Sequence, residues 1–198
     1  MTQDILLALI LFSFASSITP GPNNIMLLAS GANFGLKRTV PHMLGISIGH
    51  ALMVALIGLG LLQLFDLLPW LRPMLMTACA AYLLYLAWKI ANAAAPGEAR
   101  TDAKPFSFLQ AAAFQWVNPK AWYMAIYAQT YFAPDNAGWA GALVVPLVFA
   151  LINLPSVAVW AATGTALRHW LSDARRLRAF NITMALLLVA SLYPMLTG

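Results

Sequence analysis

The sequence is too apolar to fold as a soluble protein. Of its 198 residues, 62% are hydrophobic and only 9% are charged, whereas a soluble domain carries about 25% charged residues. The hydrophobic residues fall in blocks near the roughly 20 residues that cross a bilayer, so the composition predicts a membrane protein. The formal net charge of +5 sits in short loops without a basic helix or an aromatic platform, which excludes a nucleic-acid-binding protein.

The hydrophobic blocks predict an all-α fold of six transmembrane helices. The first block has no Lys or Arg before Lys37, so we expect it to be the first span rather than a signal peptide, which needs a positive N-terminal region. In chain order, the predicted spans are Ile5–Gly31, Val40–Phe65, Leu71–Ile90, Phe108–Phe132, Trp139–Leu167 and Ala179–Leu196.

A polar connector at residues 93–107, with four charged residues, divides the chain into halves of three predicted spans each. We predict one transmembrane domain over residues 1–198, built of repeat one at residues 1–92 and repeat two at residues 108–198. Because each half has an odd number of spans, the second must be inverted relative to the first, an architecture common in secondary transporters. Corresponding spans should then be interrupted alike.

The basic residues predict the orientation of the chain in the membrane. The first, third and fifth loops hold nine of the eleven Lys and Arg, and the positive-inside rule places such loops in the cytoplasm. Both termini are therefore expected outside, in a multi-pass protein of a bacterial inner membrane. The second and fourth loops hold Arg72 beside Asp66 and Asp135. The nine basic residues are Lys37, Arg38, Lys89, Arg100, Lys104, Arg168, Arg175, Arg176 and Arg178.

Two prolines and a glycine interrupt the first predicted span at its middle. Each proline removes a backbone donor and disfavours helical geometry in the residue before it, so a regular helix is not expected here. In hydrocarbon, irregular backbone is tolerated only against protein or around a wet cavity. The interruption therefore predicts a first group of substrate-binding residues. These are Thr19, Pro20, Gly21, Pro22, Asn23 and Asn24.

The fourth predicted span, which is the first of the second half, is interrupted in the corresponding place. Pro119 breaks or kinks the helix, and Asn118 and Lys120 put polar groups at a depth where a charge is costly. With Gln115 they form the second group of candidate substrate-binding residues. Broken helices expose N-termini that can hold a carboxylate and carbonyls that can hold a cation.

Two matched polar breaks favour a substrate site, although each proline could instead only kink its helix for packing. A site requires residues 19–24 and 118–120 to lie together around a polar chamber. Within it, Lys120 binds the substrate carboxylate or balances charge when the site is empty. The alternative is that it snorkels outward or caps carbonyls freed by the first break.

Other polar and small residues inside the spans have two interpretations each. His50 is a candidate for coupling to protons because an imidazole titrates near neutral pH; the alternative is an interhelical hydrogen bond from a neutral ring. Asn153, near Pro155, either lines the pathway or lies at a kink. Gly45 and Gly49 predict a face that packs against another helix.

Three motifs, in order along the chain, resemble those of the LysE/RhtB family of amino-acid exporters. Thr-Pro-Gly-Pro at residues 19–22 is similar to the family's first-span signature. Ala-Tyr-Leu-Leu-Tyr-Leu-Ala-Trp-Lys at residues 81–89 resembles its third-span pattern, and Asn-Pro-Lys-Ala at residues 118–121 resembles its second-half signature. The resemblance covers the whole chain, including its length and its polar connector.

The resemblance implies a six-helix inner-membrane carrier that exports amino acids or related small metabolites by alternating access, without covalent chemistry, a resident metal or an organic cofactor. Its partners would be the substrate, a proton or Na⁺ as coupling ion, and membrane lipid; a homodimer is also open. His50 departs from the family pattern of a small or apolar residue, so the substrate does not follow from membership. Residue by residue, the resemblance implies roles for Pro20, Gly21, Pro22, Asn118, Pro119 and Lys120.

Other classes of function fit the sequence less well. A membrane enzyme would need a nucleophile–base pair or metal ligands at helical spacing, and the three scattered histidines have no carboxylate beside them. An assembly subunit that transports nothing would not need two polar breaks. Efflux of another small solute or of a metal ion by the same fold is the alternative within transport, although the sequence has no His-rich loop.

Overall fold

The computed structural model describes residues 1–63, 67–92, 104–134 and 138–193 and confirms an all-helical chain. No strand occurs among these residues, and short 3-10 turns lie at Gln115–Val117 and Trp170–Ser172. The eight α-helices that the described residues define from end to end are α1 (Gln3–Ile18), α2 (Pro22–Phe34), α3 (Leu36–Gly58), α4 (Leu71–Ala91), α5 (Phe108–Phe114), α6 (Pro119–Phe132), α7 (Gly138–Leu167) and α8 (Ala174–Ala190).

Three single helices, α3, α4 and α7, are long and apolar enough to cross a membrane. Helices α1 and α2 together make a fourth such span, which is bent by 55°. Helices α5, α6 and α8 have 7, 14 and 17 residues, each fewer than the roughly 20 that cross a bilayer. The described helices thus provide three or four spans, and the arrangement of six spans in two inverted repeats stays a prediction.

Two helix boundaries predicted from the sequence are wrong, for local reasons. The predicted first loop is divided between α2 and α3, because the chain turns at Gly35 alone, whose φ of 80° lies in the left-handed region that glycine tolerates. Helix α8 begins at Ala174 rather than Ala179, because Asp173 caps it by accepting two backbone N–H bonds of 3.0 Å. The predictions for residues 93–103, Phe65, Asp66, Asp135 and Leu196 fall outside the described residues.

The helix pairs α1–α2 and α5–α6 each pack against a long helix of the other half of the chain. Both α1 and α2 contact α7, and both α5 and α6 contact α3. Where α2 crosses α7, Gly31 faces the backbone of Ala161 and Gly164 faces the backbone of Leu28, so a side-chain atom at either glycine would overlap a carbonyl oxygen. Absent side chains therefore let these two helices meet backbone to backbone.

The glycines of α3 make the equivalent contact with α5. A side-chain atom at Gly45 would overlap the carbonyl oxygen of Phe108, and one at Gly49 would lie 2.6 Å from the Cα of Ala112. The packing face predicted from Gly45 and Gly49 is thereby confirmed. Because these contacts involve α2 and α5, the helices beside the two breaks, they help to fix where the breaks lie.

We expect Gly31→Leu and Gly164→Leu each to destabilise the protein strongly, because the new side chain has to separate α2 from α7. Overpacking of this kind costs about 1–3 kcal/mol or more. The measurement is the thermal unfolding midpoint in detergent. Ala162→Leu is the matched control, since Ala162 is exposed on the same helix and tolerates added bulk. Equal midpoints for Gly164→Leu and Ala162→Leu would show that the close crossing is unimportant.

Candidate functional site

The first break lies where α1 ends at Ile18 and α2 begins at Pro22. Proline is tolerated at the first position of a helix because the N–H it lacks would have no partner within the helix. At the end of α1, the N–H of Thr19 donates to the carbonyl of Ala15 at 3.2 Å, and its hydroxyl donates to the carbonyl of Ser16 at 3.0 Å. Thr19 therefore donates hydrogen bonds to two of the carbonyls that the end of α1 leaves without a partner in the helix.

Side chains from elsewhere bond the remaining carbonyls of this break. Asn24 reaches back from α2, and its Nδ2 donates to the carbonyls of Ser17 at 2.8 Å and Thr19 at 2.7 Å. Trp160 of α7 donates from Nε1 to the carbonyl of Ile18 at 3.0 Å. The carbonyls that the break frees are thus hydrogen-bonded within the protein, as a membrane interior demands.

The second break follows the same plan in the second half of the chain. After α5 the backbone tightens into the 3-10 turn of Gln115–Val117 and then extends at Asn118. The Oδ1 of Asn118 accepts the backbone N–H of Lys120 at 3.1 Å, and Pro119 is the first residue of α6. Asn118 is therefore an N-cap, the residue type that most favours the start of a helix.

Two amide side chains join the two breaks. The Nδ2 of Asn23 donates to the Oε1 of Gln115 at 2.8 Å, and the Nε2 of Gln115 donates back to the Oδ1 of Asn23 at 3.2 Å. Gln115 is fully buried and also donates to the carbonyl of Ala111 at 2.8 Å. The chamber predicted from residues 19–24 and 118–120 thus has its two sides in direct contact.

Lys120 makes the second connection between the breaks. Its Nζ donates to the carbonyl of Thr19 at 2.7 Å, to the hydroxyl of Thr19 at 3.0 Å and to the carbonyl of Pro20 at 3.4 Å. Of the roles considered for Lys120, the structure shows the cap on carbonyls of the first break. Gly21 lies against this side chain, since a side-chain atom there would lie 2.7 Å from the Cδ of Lys120.

A third polar connection links α1, α3 and α7. The hydroxyl of Ser47 donates to the Oδ1 of Asn153 at 2.9 Å, and the Nδ2 of Asn153 donates to the hydroxyl oxygen of Ser17 at 3.0 Å. All three residues are buried. A buried side-chain amide needs such partners, because an unpaired polar group in an apolar setting is costly.

These connections surround a small, partly open cavity. The lining includes eight of the residues predicted from the sequence, which come from both breaks, from α3 and from α7. These eight are Gly21, Asn23, Asn24, His50, Gln115, Asn118, Lys120 and Asn153.

The other four predicted residues shape the breaks without lining the cavity. Thr19 and Pro20 are exposed and supply the carbonyls that Lys120 caps. Pro22 and Pro119 are the first residues of α2 and α6. Their structural contribution is to set where the half-helices begin.

Sequence reasoning missed five lining residues, namely Ser16, Ser17, Ala121, Met124 and Val157. The helical repeat of the sequence could have indicated two of them. Met124 lies four residues after Lys120, and Val157 lies four residues after Asn153, so each is on the same helix face as a predicted residue.

His50 differs from the other polar residues of the cavity because its ring has no hydrogen-bond partner. The side chain is 2% exposed, and neither Nδ1 nor Nε2 bonds to any described residue. The edge-on ring of Phe149, with centroids 5.1 Å apart at 75°, packs beside it. The interhelical hydrogen bond considered for His50 is therefore not formed with any described residue.

Formal charge around the cavity is sparse. Among the lining residues, Lys120 is the one Lys or Arg, and none is Asp or Glu. Helices α2 and α6 begin here and α1 ends here, which places partial positive and partial negative charges side by side. The N-cap of α2 is Gly21, which has no side chain to bond the first N–H groups of the helix.

Comparison with known proteins places the chain among transport proteins. It matches the family model described as LysE type translocator over residues 14–191. It is 31% identical over 190 residues to the cysteine/O-acetylserine efflux proteins of Escherichia coli strain K12 and Shigella flexneri, and 30% identical to that of Escherichia coli O139:H28, with 96% of each chain covered. No solved structure matches the chain.

We expect Asn24→Leu to destabilise the protein by about 1–3 kcal/mol, because the carbonyls of Ser17 and Thr19 then lose a buried donor. The measurement is thermal unfolding in detergent, followed by tryptophan fluorescence. Asn92→Leu is the control: Asn92 donates to the carbonyl of Trp88 at 2.8 Å, but at an exposed helix end, where water replaces it. A shift for Asn24→Leu no larger than that for Asn92→Leu would contradict this account of the break.

Proposed function

We propose that this chain, which belongs to the family of LysE type translocators, is a secondary active exporter of amino acids or related small metabolites. As a translocator it is a transporter and not an enzyme. The proposed export runs by alternating access across a bacterial inner membrane and is coupled to protons or Na⁺. The observation that best supports the proposal is that side chains of the two breaks bond to each other beside a polar cavity.

The contacts across the breaks supply both kinds of group that a zwitterion needs. The end of α1 presents the carbonyls of Thr19 and Pro20, which already hold one ammonium group, that of Lys120. The start of α2 presents the N–H groups of Asn23 and Asn24 beside it. In our proposal the α-ammonium of the substrate binds at the carbonyls, and its carboxylate binds at the start of α2.

Lys120 then has a role in both the empty and the loaded site. In the empty site its ammonium occupies the carbonyls of Thr19 and Pro20. When the substrate ammonium replaces it there, Lys120 is released to pair with the substrate carboxylate. The exchange leaves no buried charge without a partner, which is the condition for a charge to be tolerated in the membrane.

The helix contacts support the two proposed inverted repeats. If α1–α2, α3 and α4 correspond to α5–α6, α7 and α8, each contact should have a counterpart with the halves exchanged. The contacts of α1 and α2 with α7 correspond to those of α5 and α6 with α3, while α3 with α7 and α4 with α8 correspond to themselves. This exchange is expected of inverted repeats whose site lies at the repeat interface.

The names of the relatives favour amino acids as the substrate class. Proteins 30–31% identical over nearly the whole chain are named for efflux of cysteine and O-acetylserine, which are both small α-amino acids.

Cysteine labelling in spheroplasts tests the proposed orientation. In a Cys79→Ala background, which removes the one native cysteine, we expect a membrane-impermeant maleimide to label Thr2→Cys directly. It should label Lys37→Cys only after permeabilisation, because the positive-inside rule keeps that end of α3 in the cytoplasm. Both native residues are exposed, so access is limited by the membrane alone. The reverse pattern would show that the termini face the cytoplasm.

Efflux from cells loaded with dipeptides tests the function and the role of Lys120 together. We expect Lys120→Met to lower amino-acid export about tenfold or more, because the substrate carboxylate loses a charge-assisted bond. Lys89→Met is the matched control, since Lys89 is exposed at the end of α4 and away from the cavity.

Two results of this assay would count against the proposal, and they differ. Full export by a normally folded Lys120→Met would exclude the charge role of Lys120. If the wild type exports no amino acid above the level of a Pro20→Ala/Pro119→Ala double variant, the proposed function itself is wrong.

A further inference from the structure

We propose that His50 binds the side chain of the substrate, so that this site selects small, uncharged amino acids whose side chain carries a hydrogen-bonding group such as a hydroxyl, thiol or ester. This assignment rests on the proposed function. It starts from the geometry of the cavity. Among the described lining residues, His50 is the buried polar side chain that has no hydrogen-bond partner in the protein.

The polar groups around His50 are bonded to one another, whereas His50 is not. Asn23 pairs with Gln115, and Asn153 connects Ser47 with Ser17. His50 is 2% exposed with both ring nitrogens unbonded by any described residue. Burying an imidazole without replacing its hydration costs free energy, and native proteins rarely leave such a group unsatisfied. A ligand in the cavity that His50 lines would supply the missing bond.

The position of His50 selects the part of the ligand that it meets. The ammonium and carboxylate of an amino acid are held by the half-helix ends in the proposed function, and these belong to α1, α2 and α6. His50 lies on α3, three residues after Ser47 and hence on the same helix face. The remaining part of the substrate, its side chain, is the part left to face α3.

The other walls of the cavity limit what that side chain can be. Ala121, Met124 and Val157 are apolar lining residues, so the side chain meets hydrocarbon as well as the imidazole. None of the described lining residues is Asp or Glu, which disfavours a basic side chain. The ammonium of Lys120 is taken up by the carboxylate common to all amino acids, which leaves no second cation for an acidic side chain.

His42 provides a comparison within the same helix. It is also 2% exposed, its ring nitrogens also lack partners among the described residues, and it packs edge-on against Phe106 at 5.1 Å. His42 does not line the described cavity, so a substrate there cannot reach it. It therefore serves as a matched control that separates loss of a buried imidazole from loss of a substrate contact.

The test uses counterflow in proteoliposomes, which needs no ion gradient, with L-homoserine and L-2-aminobutyrate as a pair that differs by one hydroxyl. We expect the wild-type protein and His42→Phe to prefer homoserine about tenfold, the effect of one buried hydrogen bond. His50→Phe and His50→Leu should lose this preference while still exchanging 2-aminobutyrate, which also shows that they fold. His50→Gln should retain part of it.

The possible failures are distinguishable. An equal preference in the wild type and in both apolar His50 variants overturns the assignment alone. So does an unchanged preference accompanied by loss of proton-driven transport, which would make His50 a coupling residue instead. Failure of the wild type to exchange either amino acid overturns the proposed function and this assignment together.

Discussion

When a helix breaks inside a membrane, its freed carbonyls need hydrogen-bond donors from within the protein. The rest of this structure depends on which donors the carbonyls at the end of α1 receive. Its own Thr19 and nearby Asn24 provide some donors, but Trp160 and Lys120 come from the other half of the chain. The first break is therefore completed only when the second half is in place. The hydrogen-bonding needs of the backbone therefore hold the two breaks together even without a substrate.

This dependence also explains why a mobile ammonium is suited to the end of α1. The indole of Trp160 bonds one carbonyl at this helix end, whereas in the proposed function the long side chain of Lys120 leaves and returns. Whenever a substrate ammonium takes its place, the carbonyls of Thr19 and Pro20 stay bonded. In the proposed function, binding is thus an exchange of one cation for another, and it avoids the large cost of exposing bare carbonyls or a lone charge to the membrane interior.

The sequence predicts the breaks well because proline acts on its own residue and on the one before it. It predicts less about what closes them, since the partners are distant: Trp160 is 142 residues from Ile18, and Lys120 is 101 residues from Thr19. The alternatives for Lys120 could be weighed but not decided without coordinates. The helix starts near Gly35 and Asp173 were misplaced because charged residues suggested loops, where one left-handed residue and one cap were sufficient.

The two kinds of contact in this structure differ in what they allow to move. The glycine crossings join α2 to α7 and α3 to α5 backbone to backbone, and no substrate can replace such a contact. The pairs Asn23–Gln115 and Ser47–Asn153 instead connect these two units through side chains, which can exchange one partner for another. In the proposed function, alternating access would rearrange these side-chain bonds, which lie beside the cavity that the substrate would occupy. Binding and movement would then draw on the same few hydrogen bonds, because the backbone contacts at the glycine crossings leave no space for a substrate.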